Sequence, residues 1–409
     1  MAEITKCRIC GSKNLVDVVN LGELCFTGIF PKSKDEFVPK GRLQLVKCLD
    51  DTGCGLLQLK DSFDLNILYG KHYGYRSGLN PTMVKHLAEL AAISKKFINL
   101  KKDDVILDIG SNDGTFLKNF PENMFMLVGI DPTGEKFKDF YREDILLLPN
   151  FFSKELIKGK LNKKPKLITS IAMFYDLEAP LDFMRDIFEI LDDDGVWLFE
   201  QSYTPKMIQD GAYDTICHEH LDYYCLKQIK WMADVVGFKI REIIFNEVNG
   251  GSFCIVVSKK GKESDKVEKF LEFERKNGFN SVKRYEQFEE MLKKHKTQLR
   301  SLLYKIKDEK KKVFGYGAST KGNVVLQYCE IDRELVPLIA EINEDKYNCF
   351  TPGTYIPIIS EKEAMSMNPD YLLVLPWHFK DFIIKKETEY LKKGGQLLFP
   401  LPQIEVFKL

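Results

Sequence analysis

The stretch VILDIGSNDGTFL, residues 105–117, decides the fold class of this 409-residue chain. A run of mostly apolar residues, typical of a buried strand, leads into a short polar loop that contains Gly110 and Gly114. Glycines let a backbone turn sharply and lie close to a ligand, and a helix after the loop would present free N–H groups. The stretch therefore predicts a strand–loop–helix unit of an α/β sheet, with a ligand at its carboxyl edge.

More strands of the same kind follow, with helical segments between most of them, notably 180–191. Two further runs, 237–248 and 250–260, are joined by Asn-Gly-Gly and predict an antiparallel hairpin. A parallel sheet that ends in such a hairpin is the layout of class I methyltransferases, an analogy at the level of fold. The strand-like runs that precede the hairpin are 125–131, 144–149, 166–173 and 195–201.

The chain is predicted to have four parts. Half of the ten cysteines lie in the first 60 residues, which favours a small metal-stapled module. Residues 262–312 are rich in Lys and Glu with apolar residues at helical spacing, which predicts solvated helices packed on one side. A second βαβ series follows. The predicted parts are a zinc-binding module (1–70), a central α/β domain (71–260), a helical connector (261–310) and a C-terminal Rossmann-like domain (311–409).

Composition excludes several classes of function. Sixty Lys and Arg balance sixty Asp and Glu, so no net field favours nucleic acid or an anionic membrane. No apolar run reaches the roughly 20 residues of a membrane helix. The polar start MAEITKCRIC does not resemble a signal peptide. We therefore expect a cytosolic protein without nucleic-acid or membrane partners, whereas its oligomeric state cannot be predicted.

The cysteines predict a metal site. Cys7 and Cys10 form a Cys-x-x-Cys half-site, and Cys48 and Cys54 supply the other half if the residues between them loop out. Four thiolates would leave no open position on a zinc ion, so the metal would be structural. The alternative is a set of buried structural thiols.

The loop after residue 109 does not have the Gly-x-Gly-x-x-Gly spacing of dinucleotide folds. It is similar to motif I of S-adenosylmethionine (SAM) enzymes, in which the loop holds the methionine part. Asp131, about twenty residues on, would accept the ribose hydroxyls. A generic strand–turn–helix is the alternative. The predicted cofactor site comprises Asp108, Gly110, Ser111, Asn112, Asp113, Gly114, Asp131, Pro132, Phe151, Phe152 and Phe174.

A second glycine-containing loop lies in VFGYGASTKGNVV, residues 313–325. Its spacing supports neither a dinucleotide nor a P-loop, since Thr320 stands where a third glycine would be and Asn323 follows Gly322. Ser319, Thr320 and Lys321 at a helix N-terminus would suit a phosphate. A scaffold without a ligand is the equal alternative.

The segment DTICHEHLDYY, residues 214–224, carries two of the six histidines. The two histidines could belong to a metal site, but the segment offers no obvious third ligand. The simplest structural role is a hydrogen-bonded cluster of polar side chains beside the sheet. The segment follows the strand at 195–201, however, and so would lie at the carboxyl edge of the sheet, where ligands bind in open α/β folds. Three ionisable groups in a row at that edge favour acid/base chemistry.

Together these features resemble the sugar C-methyltransferases that act on nucleotide-linked 4-keto-6-deoxysugars, and the resemblance spans essentially the whole chain. It implies a zinc module, a SAM-binding domain, a C-terminal Rossmann-like domain, bound SAM and structural Zn²⁺, and a nucleotide-diphosphate sugar as substrate. The motifs that carry it are CRIC…CGLLQL, YGYRSGLNPTM (73–83), LDIGSNDGTF, YDTICHEHLDYY, NGGSF (249–253), GYGASTKGN and LPWHF (375–379).

The resemblance also implies roles for residues. His220 would be the general base that removes the proton at C3, and Glu219 would orient it. Tyr75, or Tyr73 as second choice, would line the site, and Tyr75 or Tyr224 would donate to the enolate oxygen. Cys217 stands where well-described members have a tyrosine. Residues expected on the substrate side are Tyr73, Cys217, His218, Asn249, Ser319, Lys321, Trp377 and His378.

Two other functions fit the same residues. One is a SAM-dependent transferase that methylates oxygen or nitrogen of a sugar or small metabolite, which needs no enolate. The other is a zinc-binding interaction module that keeps SAM as a ligand without turnover.

Overall fold

The computed structural model describes residues 2–49, 51, 53–69 and 74–409. Within them the chain forms three larger sheets and a two-stranded ribbon, and the predicted α/β class with a separate N-terminal module is confirmed. Among the described helices, none has the length and apolar character needed to cross a bilayer.

The N-terminal module is built on an antiparallel sheet. Its strand order is β11-β4-β3-β2, in which β11 (Asp222–Tyr223) comes from much later in the chain, and the short strands β1 and β5 pair separately. Two helices follow, α1 (Leu65–Leu68) and α2 (Pro81–Ser94). The strands of this module are β1 (Ala2–Glu3), β2 (Leu15–Cys25), β3 (Lys40–Cys48), β4 (Leu57–Leu59) and β5 (Asp61–Ser62).

The central domain contains a seven-stranded sheet in the order β12-β13-β10-β9-β6-β7-β8. Strands β6 to β10 run parallel, and the hairpin β12–β13 closes one edge antiparallel to β10, as the sequence predicts. The strands are β6 (Val105–Ile109), β7 (Met126–Ile130), β8 (Ile145–Leu148), β9 (Leu167–Ile171), β10 (Val196–Ser202), β12 (Lys239–Asn246) and β13 (Ser252–Ser258). The helices are α3 (Gly134–Phe137), α4 (Lys154–Lys160), α5 (Pro180–Ile190), α6 (Thr204–Asp210) and α7 (Leu226–Val236).

One predicted element of the central domain is wrong. The loop after β6 leads into a single 3₁₀ turn, Leu117–Asn119, and not into an α-helix. Pro121 limits the segment, because the residue before a proline is driven to extended backbone, as Phe120 shows with φ −104° and ψ 145°. The ligand-facing N–H groups of this loop therefore come from irregular backbone.

The segment with the two histidines leaves the central sheet. After α6 it forms a 3₁₀ turn, Tyr213–Thr215, and then strand β11 (Asp222–Tyr223), which pairs with β4 of the N-terminal sheet. This pairing holds the end of the segment between the two modules. The residues between the turn and β11 therefore lie where the N-terminal and central modules meet.

Helices α8 (Lys266–Lys276) and α9 (Val282–Asp308) form the connector and bury Leu299, Leu303 and Ile306, as predicted. The C-terminal sheet has the order β16-β15-β14-β17-β18-β19 and is parallel except for β19. Its strands are β14 (Val313–Tyr316), β15 (Ile339–Glu341), β16 (Ile358–Ser360), β17 (Tyr371–Val374), β18 (Gln396–Phe399) and β19 (Glu405–Phe407). Its helices are α10 (Thr320–Tyr328), α11 (Glu361–Ser366), α12 (Lys380–Lys386) and α13 (Thr388–Lys392).

The N-terminal and C-terminal modules share one apolar core. It runs from Val18 and Leu45 of the first sheet, through Leu299 of α9, to Val324 and Leu373 of the last module. The side chain of Gln327 on α10 also donates to and accepts from the backbone of Cys25. The two ends of the chain are thus packed together beside the central domain.

Candidate active site

The four cysteines of the N-terminal module lie together. Cys7 Sγ is 3.5 Å from Cys54 Sγ, Cys10 Sγ is 3.7 Å from Cys48 Sγ, and all four sulfurs lie within 4.8 Å of one another. Zn–S bonds of about 2.3 Å in a tetrahedron place sulfurs roughly 3.8 Å apart, so the donor set fits a zinc ion. The predicted ligand set is the one the fold brings together.

The five-residue spacing of the second pair depends on Gly53. A Cβ at this position would lie 2.4 Å from Cys48 Sγ, closer than such atoms can approach, and 3.2 Å from Cys10 Sγ, which is tight. The backbone therefore crosses directly over the sulfurs. Gln228 of α7 donates to the Cys54 carbonyl over 3.0 Å, which ties the cluster to the central domain.

The loop after β6 is held by two aspartates. Asp131 accepts the backbone N–H of Asn112 through one carboxylate oxygen and the N–H and hydroxyl of Thr133 through the other. Asp113 accepts the N–H of Gly78 and the hydroxyl of Thr115. Gly110 and Gly114 have φ of 76° and 73°, which glycine adopts without strain. These contacts hold the loop, residues 110–114, in one conformation at the carboxyl edge of the sheet, and this loop is called the cradle below.

Asp108 lies beneath this cradle and is buried. It accepts a 2.6 Å hydrogen bond from the Thr169 hydroxyl. Burial raises the pKa of Asp108 to about 7, and the nearby charge of Asp131 acts in the same direction. Ser111 bonds the hydroxyl of Tyr141, and Pro132 follows Asp131 half-buried. The residues predicted for motif I thus lie together in one loop.

The three phenylalanines of the predicted cofactor site differ in environment. Phe151 is 45% exposed beside β8, and Phe152 packs on Phe183 with ring centroids 5.0 Å apart. Phe174 is fully buried against Trp197 and Phe199. The structure therefore corrects the cofactor role of Phe174, since its ring belongs to the core of the central domain.

His220 lines a small cavity at the carboxyl edge of β10. Its Nδ1 lies 2.7 Å from the carbonyl oxygen of Thr215, and its ring packs on Tyr175 with centroids 4.3 Å apart. A carbonyl only accepts, so Nδ1 carries the proton and the lone pair is on Nε2. The cavity is lined by Tyr175, Ser202, Thr204, Met207, Thr215, His220, Asp222 and Tyr223.

Electrostatics keep His220 neutral. Burial and, to a smaller extent, the positive charge of Lys321 together lower the pKa of His220 to about 3, although the Thr215 carbonyl opposes both effects. The ring is therefore a free base at neutral pH. Its position and protonation state suit a general base.

The neighbours of His220 correct two predicted roles. Glu219 does not orient the histidine, because Thr215 occupies Nδ1; its carboxylate contacts the Cys217 thiol, and burial raises its pKa. His218 is fully buried between Phe26 and Phe63 and contacts the Gly41 carbonyl, so it is a packing residue and not a substrate ligand. Burial holds the pKa of Cys217 well above its usual range, which keeps its thiol neutral.

The two adjacent tyrosines of the segment point in opposite directions. Tyr224 is fully buried, packs on Phe174 and donates to the Asp222 carboxylate over 3.0 Å, so the predicted catalytic role of Tyr224 is corrected. Tyr223 lines the cavity of His220 instead. Its buried hydroxyl lies near the backbone of Cys217 and makes no hydrogen bond of ordinary geometry with any described residue.

Tyr75 is 46% exposed, and its backbone carbonyl accepts from the Asn112 side chain. It therefore lies beside the cradle and does not line the His220 cavity. Tyr73 lies outside the described residues.

The C-terminal module reaches the same region through three side chains. Lys321 Nζ donates to the Asn249 carbonyl over 2.7 Å and lies 3.4 Å from Thr215 Oγ1. Trp377 Nε1 donates to Asp214 over 2.7 Å, and burial lowers the pKa of His378 to about 3, with Lys321 contributing. Ser319 instead caps α10 by accepting from the Gly322 N–H, so its hydroxyl is used within the helix.

Sequence reasoning missed Thr215, Asp214, Asp222 and Tyr223. Thr215 acts through its carbonyl, which leaves no signal in the sequence. The alternation of side chains along an extended strand separates Tyr223 from Tyr224, but the sequence alone does not give the face of each.

Three family models match successive parts of the chain. A zinc binding domain matches residues 7–69, a methyltransferase domain matches 75–243, and a C-methyltransferase C-terminal domain matches 247–402. The chain is 26% identical over 410 residues to the C-methyltransferase NovU of Streptomyces niveus, and the match covers 98% of this chain and 97% of NovU.

Solved methyltransferases match a smaller part. A SAM-dependent methyltransferase from Clostridium acetobutylicum is 15% identical, with 44% of this chain and 92% of that chain covered and a TM-score of 0.35. The plantazolicin methyltransferase BpumL in complex with SAH is 12% identical, with 43% of this chain and 83% of that chain covered and a TM-score of 0.34.

Proposed function

We propose that this chain, a SAM-dependent C-methyltransferase with an N-terminal zinc-binding module, methylates C3 of a nucleotide-linked 4-keto-6-deoxysugar. The observation that supports this proposal best is His220, a neutral imidazole whose Nε2 is left free by the Nδ1–Thr215 hydrogen bond. Transfer to oxygen or nitrogen needs no base for a carbon acid, whereas transfer to carbon does.

A ketone at C4 makes the neighbouring C–H acidic, since the carbanion is stabilised as an enolate. His220 Nε2 would accept this proton, and a positioned base contributes about 10²–10⁴-fold to such a step. SAM supplies an electrophilic methyl group on a sulfonium. Thr215 keeps the imidazole in the tautomer that has its lone pair on Nε2.

We assign the cofactor to the cradle after β6, with Asp131 at the ribose and Asp108, Asn112 and Asp113 around the methionine part. Phe151, which is exposed beside β8, would cover one face of the adenine. This places the transferred methyl at the carboxyl edge of the sheet, where the His220 cavity also opens.

The zinc ion is assigned a structural role. Four thiolates complete a tetrahedral shell and leave no position for a substrate oxygen. The cluster lies against α7 through Gln228, so the metal would fix the N-terminal sheet and, through β4 and β11, the segment that carries His220.

The nucleotide part of the substrate is assigned to the boundary between the central and C-terminal modules. The tip of the β12–β13 hairpin, which carries Asn249, lies against Trp377 there, since a Cβ on the next residue, Gly250, would lie 3.2 Å from the Trp377 ring. Both sides of the substrate would then be held by modules that share the Asp214–Trp377 hydrogen bond.

Mass spectrometry of reactions that contain SAM and a panel of nucleotide-4-keto-6-deoxysugars tests the proposal. We expect a mass gain of one methylene with a subset of the panel, and a C–CH₃ signal at the carbon next to the ketone by NMR. An O- or N-methyl product, or no turnover with any panel member in protein that binds SAM, would contradict it.

A further inference from the structure

Lys321 is a half-buried lysine whose hydrogen-bond partners are neutral. Its ammonium donates to the Asn249 carbonyl over 2.7 Å and lies 3.4 Å from the Thr215 hydroxyl oxygen. No carboxylate of the described residues lies within ion-pair distance of it, although Asp214 is near enough to influence it. Desolvation lowers the pKa of Lys321, so holding its ammonium without a direct counter-ion costs free energy. Such a group is expected where a negative charge arrives during function.

The groups that face this ammonium belong to the reaction site. The other titratable neighbours are His220, His378 and Cys217. The positive charge of Lys321 lowers the pKa of both histidines. Thr215 links the two sides directly, since its carbonyl holds His220 Nδ1 and its hydroxyl lies next to Lys321 Nζ. The lysine is therefore beside the proposed base.

A diphosphate at the N-terminus of α10 is a poorer partner for this side chain. The backbone N–H of Ala318 already donates to the Glu341 carboxylate over 2.7 Å, and that of Gly322 donates to Ser319 Oγ. A fixed carboxylate at this loop would repel a phosphate. Lys321 also extends away from the loop toward Asn249 and Thr215 of the central domain.

We infer that Lys321 Nζ binds the C4 oxygen of the ketone and stabilises the enolate that His220 creates; this inference rests on the proposed function. The C–H electron pair becomes the C3–C4 double bond, the carbonyl π pair moves to oxygen, and the proton goes to His220 Nε2. The carbon then forms a bond to the methyl group as the methyl–sulfur bond breaks and the sulfur keeps its pair. The imidazolium afterwards returns its proton to water.

This arrangement explains why a cation stands beside a base. Lys321 disfavours the imidazolium of His220 in the free enzyme. Once the enolate oxygen lies next to both groups, its negative charge attracts the imidazolium and the ammonium together. The enolate therefore offsets the repulsion between the Lys321 ammonium and the His220 imidazolium at the deprotonation step, where both positive charges are present.

The test compares Lys321→Met and Lys321→Gln with Lys346→Met. Lys346 is a matched control, because it is also a half-buried lysine of the C-terminal module that donates to one backbone carbonyl, Ala318 O, over 2.7 Å. Each variant is assayed for exchange of the substrate's C3 hydrogen with deuterated water in the presence of S-adenosylhomocysteine, and for substrate affinity by calorimetry.

We expect both Lys321 variants to lose about 10²–10³-fold in exchange rate at saturating substrate, with affinity changed far less. Lys346→Met should exchange at the wild-type rate. Lys321 variants that exchange normally at saturation but bind substrate much more weakly would overturn the assignment in favour of a diphosphate contact. Wild-type protein that exchanges no panel member would overturn the proposed function and this inference with it.

Discussion

The carbonyl oxygen of Thr215 lies 2.7 Å from Nδ1 of His220, five residues further along the chain. The contact fixes the tautomer of the ring without any charged partner. A carboxylate in the same position would stabilise the imidazolium and raise the pKa, whereas a carbonyl does so more weakly. Burial therefore keeps the pKa of His220 low, at about 3, because the carbonyl opposes it only weakly.

The first prediction concerns pH. An ordinary histidine loses its base form as the pH falls through about 6.5, but the pKa of His220 is lowered, so its base form persists well below that pH. We expect the exchange rate per enzyme to show no inflection due to His220 between pH 7.5 and 5.5.

Asp222 provides the control for this profile. It also lines the cavity, and burial raises its pKa to about 7, so it gains a proton in the same range. An inflection near pH 7 should therefore disappear in Asp222→Asn. An inflection near 6.5 that survives in this variant would show that His220 titrates normally.

The second prediction concerns the metal. Protein purified without chelator should contain about one zinc per chain by elemental analysis, and Cys54→Ser should lose it and unfold at lower denaturant concentration. Cys349→Ser removes another buried thiol, outside the cluster, and should keep the zinc. Equal zinc content in the two variants would refute the ligand assignment.

The third prediction concerns the cofactor cradle. Asp131→Asn removes a charge that accepts from Asn112 and Thr133 and that we assign to the ribose. Hydrogen bonds to a charged group contribute about 1.5–3 kcal/mol, so SAM affinity should fall roughly 10–100-fold by calorimetry. Asp139→Asn, at an exposed position of the following turn, should bind SAM as the wild type does. Unchanged affinity in Asp131→Asn would remove this residue from the site.

The fourth prediction separates two neighbouring tyrosines. Tyr223→Phe removes a hydroxyl from the His220 cavity and should lower methyl transfer about tenfold or more, because we expect this hydroxyl to donate to a substrate oxygen. Tyr224→Phe should leave kcat unchanged and lower the free energy of unfolding by about 1–3 kcal/mol, since Asp222 loses its hydrogen bond. The reverse pattern would restore the role that the sequence assigned to Tyr224.

Much of this architecture could be predicted from local signals. The glycines and aspartates of the cradle, the strand runs and the four cysteines each act through their own chemistry, and the fold brings them together as expected. The sequence after Gly114 is compatible with a helix, but the structure has only a 3₁₀ turn there, because Pro121 limits the segment. The domain boundaries placed from the sequence stay predictions.

The site itself depended on contacts that sequence does not encode. Glu219 is next to His220 in the chain, yet the backbone of Thr215 is what holds the ring. Lys321 reaches the site from another module, more than a hundred residues away, by crossing to Asn249. Such relationships follow from how β11 and α10 pack against the central domain, and spacing along the chain does not reveal them.

In the proposed reaction, His220 removes a proton from carbon. The most direct measurement is exchange of the substrate's C3 hydrogen with deuterated water in the presence of S-adenosylhomocysteine, for wild type, His220→Gln and Cys217→Ser. We predict exchange in the wild type, substantial exchange in Cys217→Ser and none in His220→Gln, with all three proteins still folded and able to bind SAM. Exchange at the wild-type rate in His220→Gln would contradict this role of His220.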